Sequence, residues 1–143
     1  MDGLRTVCVV VASAAVLSCA AAPVKIATGD QCYGCRRSIR NARLASEIIS
    51  GECSRLVSKF RGPGCLARYL ADHPDEQGVV YVTDYASGKM MRPAKAFFVA
   101  EIVDHHTGEM EYRSYREESD ARLAAGDLHT TVRSWTEVLE KAD

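Results

Sequence analysis

The chain has 143 residues, with 18 Lys and Arg against 19 Asp and Glu and a formal net charge of -1. This length suits one modest globular domain, and the charge balance argues against a protein that binds nucleic acid or an anionic membrane through a basic surface. Apolar residues at 47% and aromatic residues at 7% are typical of a folded protein and exclude a low-complexity chain.

The first 18 residues have the order of a secretory signal peptide. A single arginine precedes an apolar stretch over residues 6–18, and Val16-Leu17-Ser18-Cys19 then resembles a lipobox. We therefore expect cleavage before Cys19 and lipidation of that cysteine. Leu17 stands where such sequences usually have a smaller residue, so ordinary cleavage after an Ala-x-Ala stretch is the alternative. A transmembrane anchor is disfavoured because the apolar stretch is shorter than the roughly 20 residues that span a bilayer.

Cleavage at this point divides the chain into three parts. Residues 1–18 are the signal peptide, residues 19–30 a lipidated linker, and residues 31–143 one domain. Acylation of Cys19 gives the two or more lipid chains that stable anchoring requires. We expect the mature protein in the periplasm, held to the inner or the outer membrane as a palmitate-bearing lipoprotein.

The mature domain keeps four cysteines, which are Cys32, Cys35, Cys53 and Cys65. In an oxidising compartment an even number of thiols predicts two disulfides, and the sequence leaves all three pairings open. The spacing of Cys32-Tyr33-Gly34-Cys35 alternatively predicts a metal or redox site, because it brings both sulfurs within reach of one ion. Cys65 stands at a predicted helix start, where packing as a small apolar residue or pairing with Cys53 is favoured over metal binding.

Beyond the linker, the sequence predicts hairpins that alternate with short helices. Gly62-Pro63-Gly64 separates the first hairpin from the first helix, and Gly126 is expected to end the second helix. Ser134 and Glu137 have the spacing of a capping box. The predicted elements are, in chain order, strands 43–49 and 54–60, helix 65–71, strands 79–85, 96–103 and 111–115, helix 119–125, strand 128–135 and a short helix that begins at Ser134.

An internal similarity relates the two halves of the domain. Phe60-Arg61 and Tyr115-Arg116 are 55 positions apart, and each pair ends a predicted hairpin, precedes a helix and is followed by a further strand. This pattern predicts two β-β-α units. Each unit has one apolar sheet face, so the two are expected to pack together as a single α+β domain.

Three stretches of the chain carry a resemblance to a known family. They are Asp30-Gln31-Cys32-Tyr33-Gly34-Cys35, the segment from Phe60 to Leu70, and Val80 to Gly88 continued by Ala94 to Val99. In their order and spacing they resemble the NosL family, copper-binding lipoproteins associated with the assembly of nitrous oxide reductase. The resemblance covers residues 30 to 99, and Trp135 is compatible with it.

The resemblance implies a NosL/MerB-like α+β fold and a function that is not enzymatic. A protein of this family captures Cu(I) outside the cytoplasm and delivers it to a copper enzyme such as nitrous oxide reductase, with a membrane assembly complex as intermediary. Thiolate and thioether donors select Cu(I), and imidazole can complete such a site. The chain also lacks a nucleophile elbow, an H-E-x-x-H motif and a Gly-rich phosphate loop.

The chain departs from the family pattern at two places. Arg36-Arg37 follow Cys35 where the family continues with Gly-Met, and the later Pro-Met-Gly signature is missing. Both arginines would repel a bare cation but would also lower the pKa of the neighbouring thiols. The segment from His105 to Met110 offers substitute donors. The expected metal ligands are Cys32, Cys35, Met110 and His106.

Three alternatives to this interpretation stay open at the level of sequence. The two turn histidines could be solvated and Met110 could be a hairpin core residue. The protein could be a lipoprotein of the same fold that has lost metal binding, which the missing methionines favour. It could also be a thiol-disulfide protein, although a linker rather than a strand precedes the C-x-x-C motif.

Overall fold

The computed structural model describes residues 22–51 and 55–142. The expected signal peptide, Cys19 and Cys53 lie outside the described residues. The elements are β1 (Ser46–Ser50), β2 (Leu56–Phe60), α1 (Pro63–Asp72), β3 (Val79–Thr83), β4 (Met90–Met91), a 3-10 turn (Pro93–Lys95), β5 (Phe97–Asp104), β6 (Glu109–Tyr115), α2 (Glu118–Asp127), β7 (Val132–Arg133) and α3 (Trp135–Glu140). The predicted α+β class is confirmed.

The strands form two antiparallel sheets of related topology. The first has the order β2-β1-β3-β4 and the second the order β6-β5-β7. In each sheet the first strand of the unit is flanked by its hairpin partner and by the strand that follows the helix. The registers also correspond, since Ser46 pairs with Phe60 and Phe97 pairs with Tyr115. The topology therefore confirms the two predicted β-β-α units.

Strand β5 is covered by side chains on both of its faces. On one face the ring of Phe98 lies 5.4 Å from the ring of Trp135. On the other, Val99 and Tyr115 pack against Ala121 of α2. Small residues in α2 let the helix lie close to the sheet, so this half of the domain is a layered core.

The two sheets are joined where β3 ends. The Tyr85 N–H donates to the Ser114 carbonyl over 2.7 Å, and the Arg116 N–H donates to Asp84 Oδ1 over 3.1 Å. Helix α1 then lies against β6, an edge strand of the second sheet. This junction brings the first turn of α1 next to the side chains of β6.

Several predicted boundaries are wrong, for local reasons. The strand predicted over 79–85 ends at Thr83 because Asp84 closes a turn, accepting the Gly88 N–H over 2.7 Å through its carbonyl. Gly126 does not end α2, which continues to Asp127, so the strand predicted over 128–135 is reduced to β7. The predicted capping box of α3 is confirmed, since Ser134 Oγ accepts the Glu137 N–H over 3.3 Å and the Glu137 carboxylate accepts the Ser134 N–H over 2.6 Å.

Part of the predicted linker packs against the first sheet. The Val24 N–H donates to Oε1 of Glu47 over 2.8 Å, and Ile26 is buried in the core. Glu47 itself is fully buried on β1, and this burial raises the pKa of its carboxyl. The chain therefore follows a fixed path from Val24 onward. No helix in the described part of the chain has the length and apolar character needed to cross a bilayer.

Candidate metal centre

Cys32 and Cys35 lie on a tight turn that the backbone closes. The Cys32 N–H donates to the Arg37 carbonyl over 2.9 Å, and the Arg36 N–H donates back to the Cys32 carbonyl over 3.0 Å. The Tyr33 N–H donates to the Lys59 carbonyl over 2.7 Å, which ties the turn to β2. Both sulfurs are thus held beside the end of the first hairpin.

Arg36 adopts a left-handed backbone conformation in this turn. Its φ of 61° lies in the region that glycine occupies without a steric penalty. For a residue with a Cβ atom the left-handed conformation costs about 1 kcal/mol. The turn therefore has a geometry that favours glycine at the position of Arg36.

Cys65 is positioned by the N-terminal turn of α1 and by a buried carboxylate from β6. Glu111 accepts the Gly64 N–H and, over 3.2 Å, the Cys65 N–H. A Cβ atom on Gly62 would overlap the Cγ and Cδ atoms of Glu111, and one on Gly64 would lie 2.6 Å from its Oε1. The sequence Gly62-Pro63-Gly64 therefore leaves room for the side chain that caps the helix.

Three thiols converge where these elements meet. The sulfurs of Cys32, Cys35 and Cys65 all lie within 4.8 Å of one another, and the first and last are 3.4 Å apart. A metal held by three sulfurs at about 2.3 Å needs sulfurs roughly 4 Å apart, which this cluster matches closely. All three are free cysteines. Cys32 and Cys65 are 0% and 4% exposed, whereas Cys35 is only half-buried.

A hydrogen bond of 3.4 Å joins the sulfurs of the two buried thiols. A hydrogen bond from Cys65 lowers the pKa of Cys32 to about 4, opposed by burial and assisted by the backbone N–H groups of Cys35 and Arg61. The same hydrogen bond, together with burial, raises the pKa of Cys65. Cys32 is therefore the more acidic of these two thiols. The low pKa expected for Cys32 is confirmed, but its main cause is Cys65 and not the adjacent arginines.

The arginine charge expected to oppose a cation is partly neutralised. Arg37 Nη1 donates to Glu109 Oε2 over 3.1 Å, and Arg61 also pairs with Glu109. Burial alone would raise the pKa of the Glu109 carboxyl, but the hydrogen bonds from both arginines outweigh burial and lower it. Hydrogen bonds to Glu109 and to Cys35 raise the pKa of Arg37. Arg37 thus bridges the thiol cluster and a carboxylate.

Comparison with known proteins adds one result. No family model matches the chain, and no curated protein matches it. The crystal structure of the copper chaperone NosL from Shewanella denitrificans matches it with a TM-score of 0.60 and 20% sequence identity, covering 80% of this chain and 96% of that one. The chain has the NosL fold. The resemblance predicted from three stretches of sequence is confirmed for the architecture.

Within the NosL fold, Cys65 is the site residue that the sequence reasoning missed. It is 33 positions from Cys32, and its place at a helix start favoured a packing role. The signal that could have found it is the second of the three resembling stretches, from Phe60 to Leu70, which contains Gly64-Cys65-Leu66 at the start of the helix. Because this stretch also resembles the NosL family, its cysteine, Cys65, belongs with Cys32 and Cys35 among the candidate ligands.

The remaining predicted ligands, Met110 and His106, are exposed. Met110 stands on β6 with 48% of its surface exposed. His106 is exposed in the turn between β5 and β6, where its N–H donates to Asp104 Oδ1 over 2.9 Å. Among the described residues, His106 does not join the group of three thiols. That Met110 and His106 bind metal stays a prediction.

Proposed function

We propose that this chain is a metallochaperone that binds Cu(I) through Cys32, Cys35 and Cys65 and passes it to a copper enzyme. The observation that carries the proposal is the convergence of three free thiols on the NosL fold. Cu(I) is the cargo of this site. The lowered pKa of Cys32 favours the thiolate, which is the donor that a soft metal prefers.

The number of donors favours a carried ion over a structural one. Structural zinc sites use four protein ligands in a closed tetrahedron. In residues 22–51 and 55–142, no histidine or carboxylate joins the three thiols within ligand distance. A site with three thiolates holds Cu(I) and leaves one side open to an incoming donor.

The burial of the sulfurs indicates the order in which they release the ion to an acceptor protein. Cys32 and Cys65 are buried, and Cys35 is the partly exposed member of the cluster. Donors from an acceptor protein therefore reach the ion from the side of Cys35 and displace this sulfur first. The two buried sulfurs release the ion only after the acceptor has begun to bind it.

The same burial argues against a thiol-disulfide enzyme. Attack on a substrate disulfide needs an accessible thiolate. Here the thiol with the lowered pKa is Cys32, whose side chain is fully buried. An insulin reduction assay of the purified protein is therefore expected to show no turnover.

Titration of the reduced mature protein with Cu(I) against a competing chelator tests the proposal. We expect about one tightly bound Cu(I) per chain and the near-ultraviolet absorption of copper-thiolate bonds. Met110→Leu and His106→Ala variants are titrated in parallel, and a weaker affinity in either adds that side chain to the ligand set. Failure of the unmodified protein to compete with the chelator would overturn the assignment.

Export and lipid attachment at Cys19 are part of the same proposal. We propose that the anchored protein works in the periplasm, with a nitrous oxide reductase-like enzyme and its membrane assembly complex as partners. The Val16-Leu17-Ser18-Cys19 segment and the NosL fold support this placement. Cells fed a labelled palmitate analogue are expected to label the protein, and Cys19→Ser is expected to lose the label. Equal labelling of both forms would contradict lipidation at Cys19.

A further inference from the structure

Four exposed arginines follow Cys35 within eight positions, and they are Arg36, Arg37, Arg40 and Arg43. This is a local excess of positive charge in a chain whose net charge is -1. Arg43 is used within the fold, because it donates to the carbonyls of Tyr85 and Ala86 over 2.6 and 2.7 Å. The other three, Arg36, Arg37 and Arg40, are called the arginine rim below. Arg36 and Arg37 directly follow Cys35, and Arg37 forms a hydrogen bond with Cys35.

Most of the charge on the arginine rim has no partner in the fold. Glu109 is shared between Arg37 and Arg61, so one carboxylate faces two guanidinium groups. Neither Arg36 nor Arg40 forms an ion pair within 4.0 Å among the described residues. Arg40 acts on Asp104 only through longer-range attraction. The rim therefore presents unpaired guanidinium groups next to the partly exposed Cys35.

Arg36 is held in place at a conformational cost. Its φ of 61° is disfavoured for a residue with a side chain, and its guanidinium lies 5.1 Å from the ring centroid of Tyr33, which is 43% exposed. Strained backbone that a structure retains points to a use for the residue. Arginine and tyrosine are also the side chains most enriched among the residues that dominate protein interfaces.

We propose that the arginine rim docks a carboxylate-rich segment of the protein that exchanges metal with the thiol cluster. The identity of that partner as a metal acceptor rests on the proposed function. Guanidinium groups bind carboxylates through two parallel hydrogen bonds, which fixes orientation as well as contact. A segment bound at the rim lies beside Cys35, so its neighbouring donors reach the ion there.

The surroundings of the rim favour a protein over an anionic lipid surface. A cavity of about 480 Å³ adjoins it, lined by both charges, with Arg37 and Arg40 facing Glu101 and Asp104. Ile102 of the same cavity is 46% exposed. Lipid headgroups select basic clusters free of acids, whereas protein interfaces match both charges and apolar side chains.

Binding of a labelled hexaglutamate peptide to the metal-free, reduced mature protein tests the proposal. The Arg36→Gly/Arg40→Gln double variant is expected to lower the affinity by at least about tenfold, the size of two lost charge-assisted hydrogen bonds. The matched control, Lys95→Gln/Arg122→Gln, removes two exposed charges from a different groove and is expected to change the affinity by less than about twofold. Glycine relieves the backbone strain at position 36, so the double variant is expected to stay folded, and thermal unfolding checks this.

Two outcomes would overturn the docking surface. One is an equal loss of affinity in both double variants, and the other is binding to vesicles rich in phosphatidylglycerol without binding to the peptide. Because the measurement uses metal-free protein, it is independent of the copper titration. Absence of copper binding together with rim-dependent peptide binding would refute the proposed cargo and leave the docking surface standing.

Discussion

Replacement of Cys65 by serine is expected to lower the Cu(I) affinity of the reduced protein by at least about 100-fold, since even groups that only orient a metal ligand are worth 10 to 100-fold. A hydroxyl is a poor donor for a soft ion, and it cannot replace the sulfur that lies 3.4 Å from Cys32 Sγ. Chelator competition with the purified variant measures the loss.

Met91→Leu is the matched control for this experiment. It removes a buried sulfur from a separate part of the core, at nearly constant side-chain volume. Its Cu(I) affinity is expected to equal that of the unmodified protein. Equal affinities of the Cys65→Ser variant and the unmodified protein would show that Cys65 only packs in the core, as its sequence context favours.

Gly62→Ala is expected to destabilise the fold by about 2 to 4 kcal/mol through overpacking and the loss of buried hydrogen bonds. The new methyl group would overlap Glu111, which is 1% exposed and cannot move without releasing the amides of Gly64 and Cys65. The backbone at Gly62 is extended, with φ of -177°, so the effect is steric and not conformational. Urea unfolding measures the change in free energy of unfolding.

Two further variants separate this contact from a general effect of adding a methyl group. Gly126→Ala in α2 meets no atom within 4 Å and is expected to stabilise the protein by up to about 1 kcal/mol. In a Gly62→Ala/Glu111→Ala double variant the overlap is gone, so the combined loss should be smaller than the sum of the two single losses. Additive losses would mean that Gly62 and Glu111 do not interact.

Local sequence patterns predicted most of the fold because its elements are locally encoded. The strands of both hairpins and helix α1 follow from alternation, turn residues and helical spacing, and Ser134 caps α3 as expected. The short strands β4 and β7 pair over two residues each at the sides of existing strands. Such pairing depends on the neighbouring strand. The sequence pattern therefore showed no sign of β4 and predicted a strand over 128–135 of which only the two residues of β7 pair.

The candidate metal centre was predictable only in part, because it is formed by residues that are distant in the sequence. A two-residue spacing is enough to bring Cys32 and Cys35 to one ion, but Cys65 joins them only through the position of α1 against β6. The sequence gives no sign that Glu111 differs from an exposed charged residue of a strand. In the structure it is buried and caps α1 by accepting the Cys65 N–H. The adjacent arginines were expected to lower the pKa of the thiols, whereas the hydrogen bond with Cys65 is the main cause of the lowered pKa of Cys32.

The attachment of Val24 to Glu47 limits how far the domain can travel from a membrane. With Cys19 lipidated as proposed, four residues separate the anchor from this attachment point. The five extended steps from Cys19 to Val24 then reach at most about 17 Å. The domain then sits low over the bilayer, with little freedom to search the periplasm. The partners within its reach are then those that present their acceptor site close to the membrane surface.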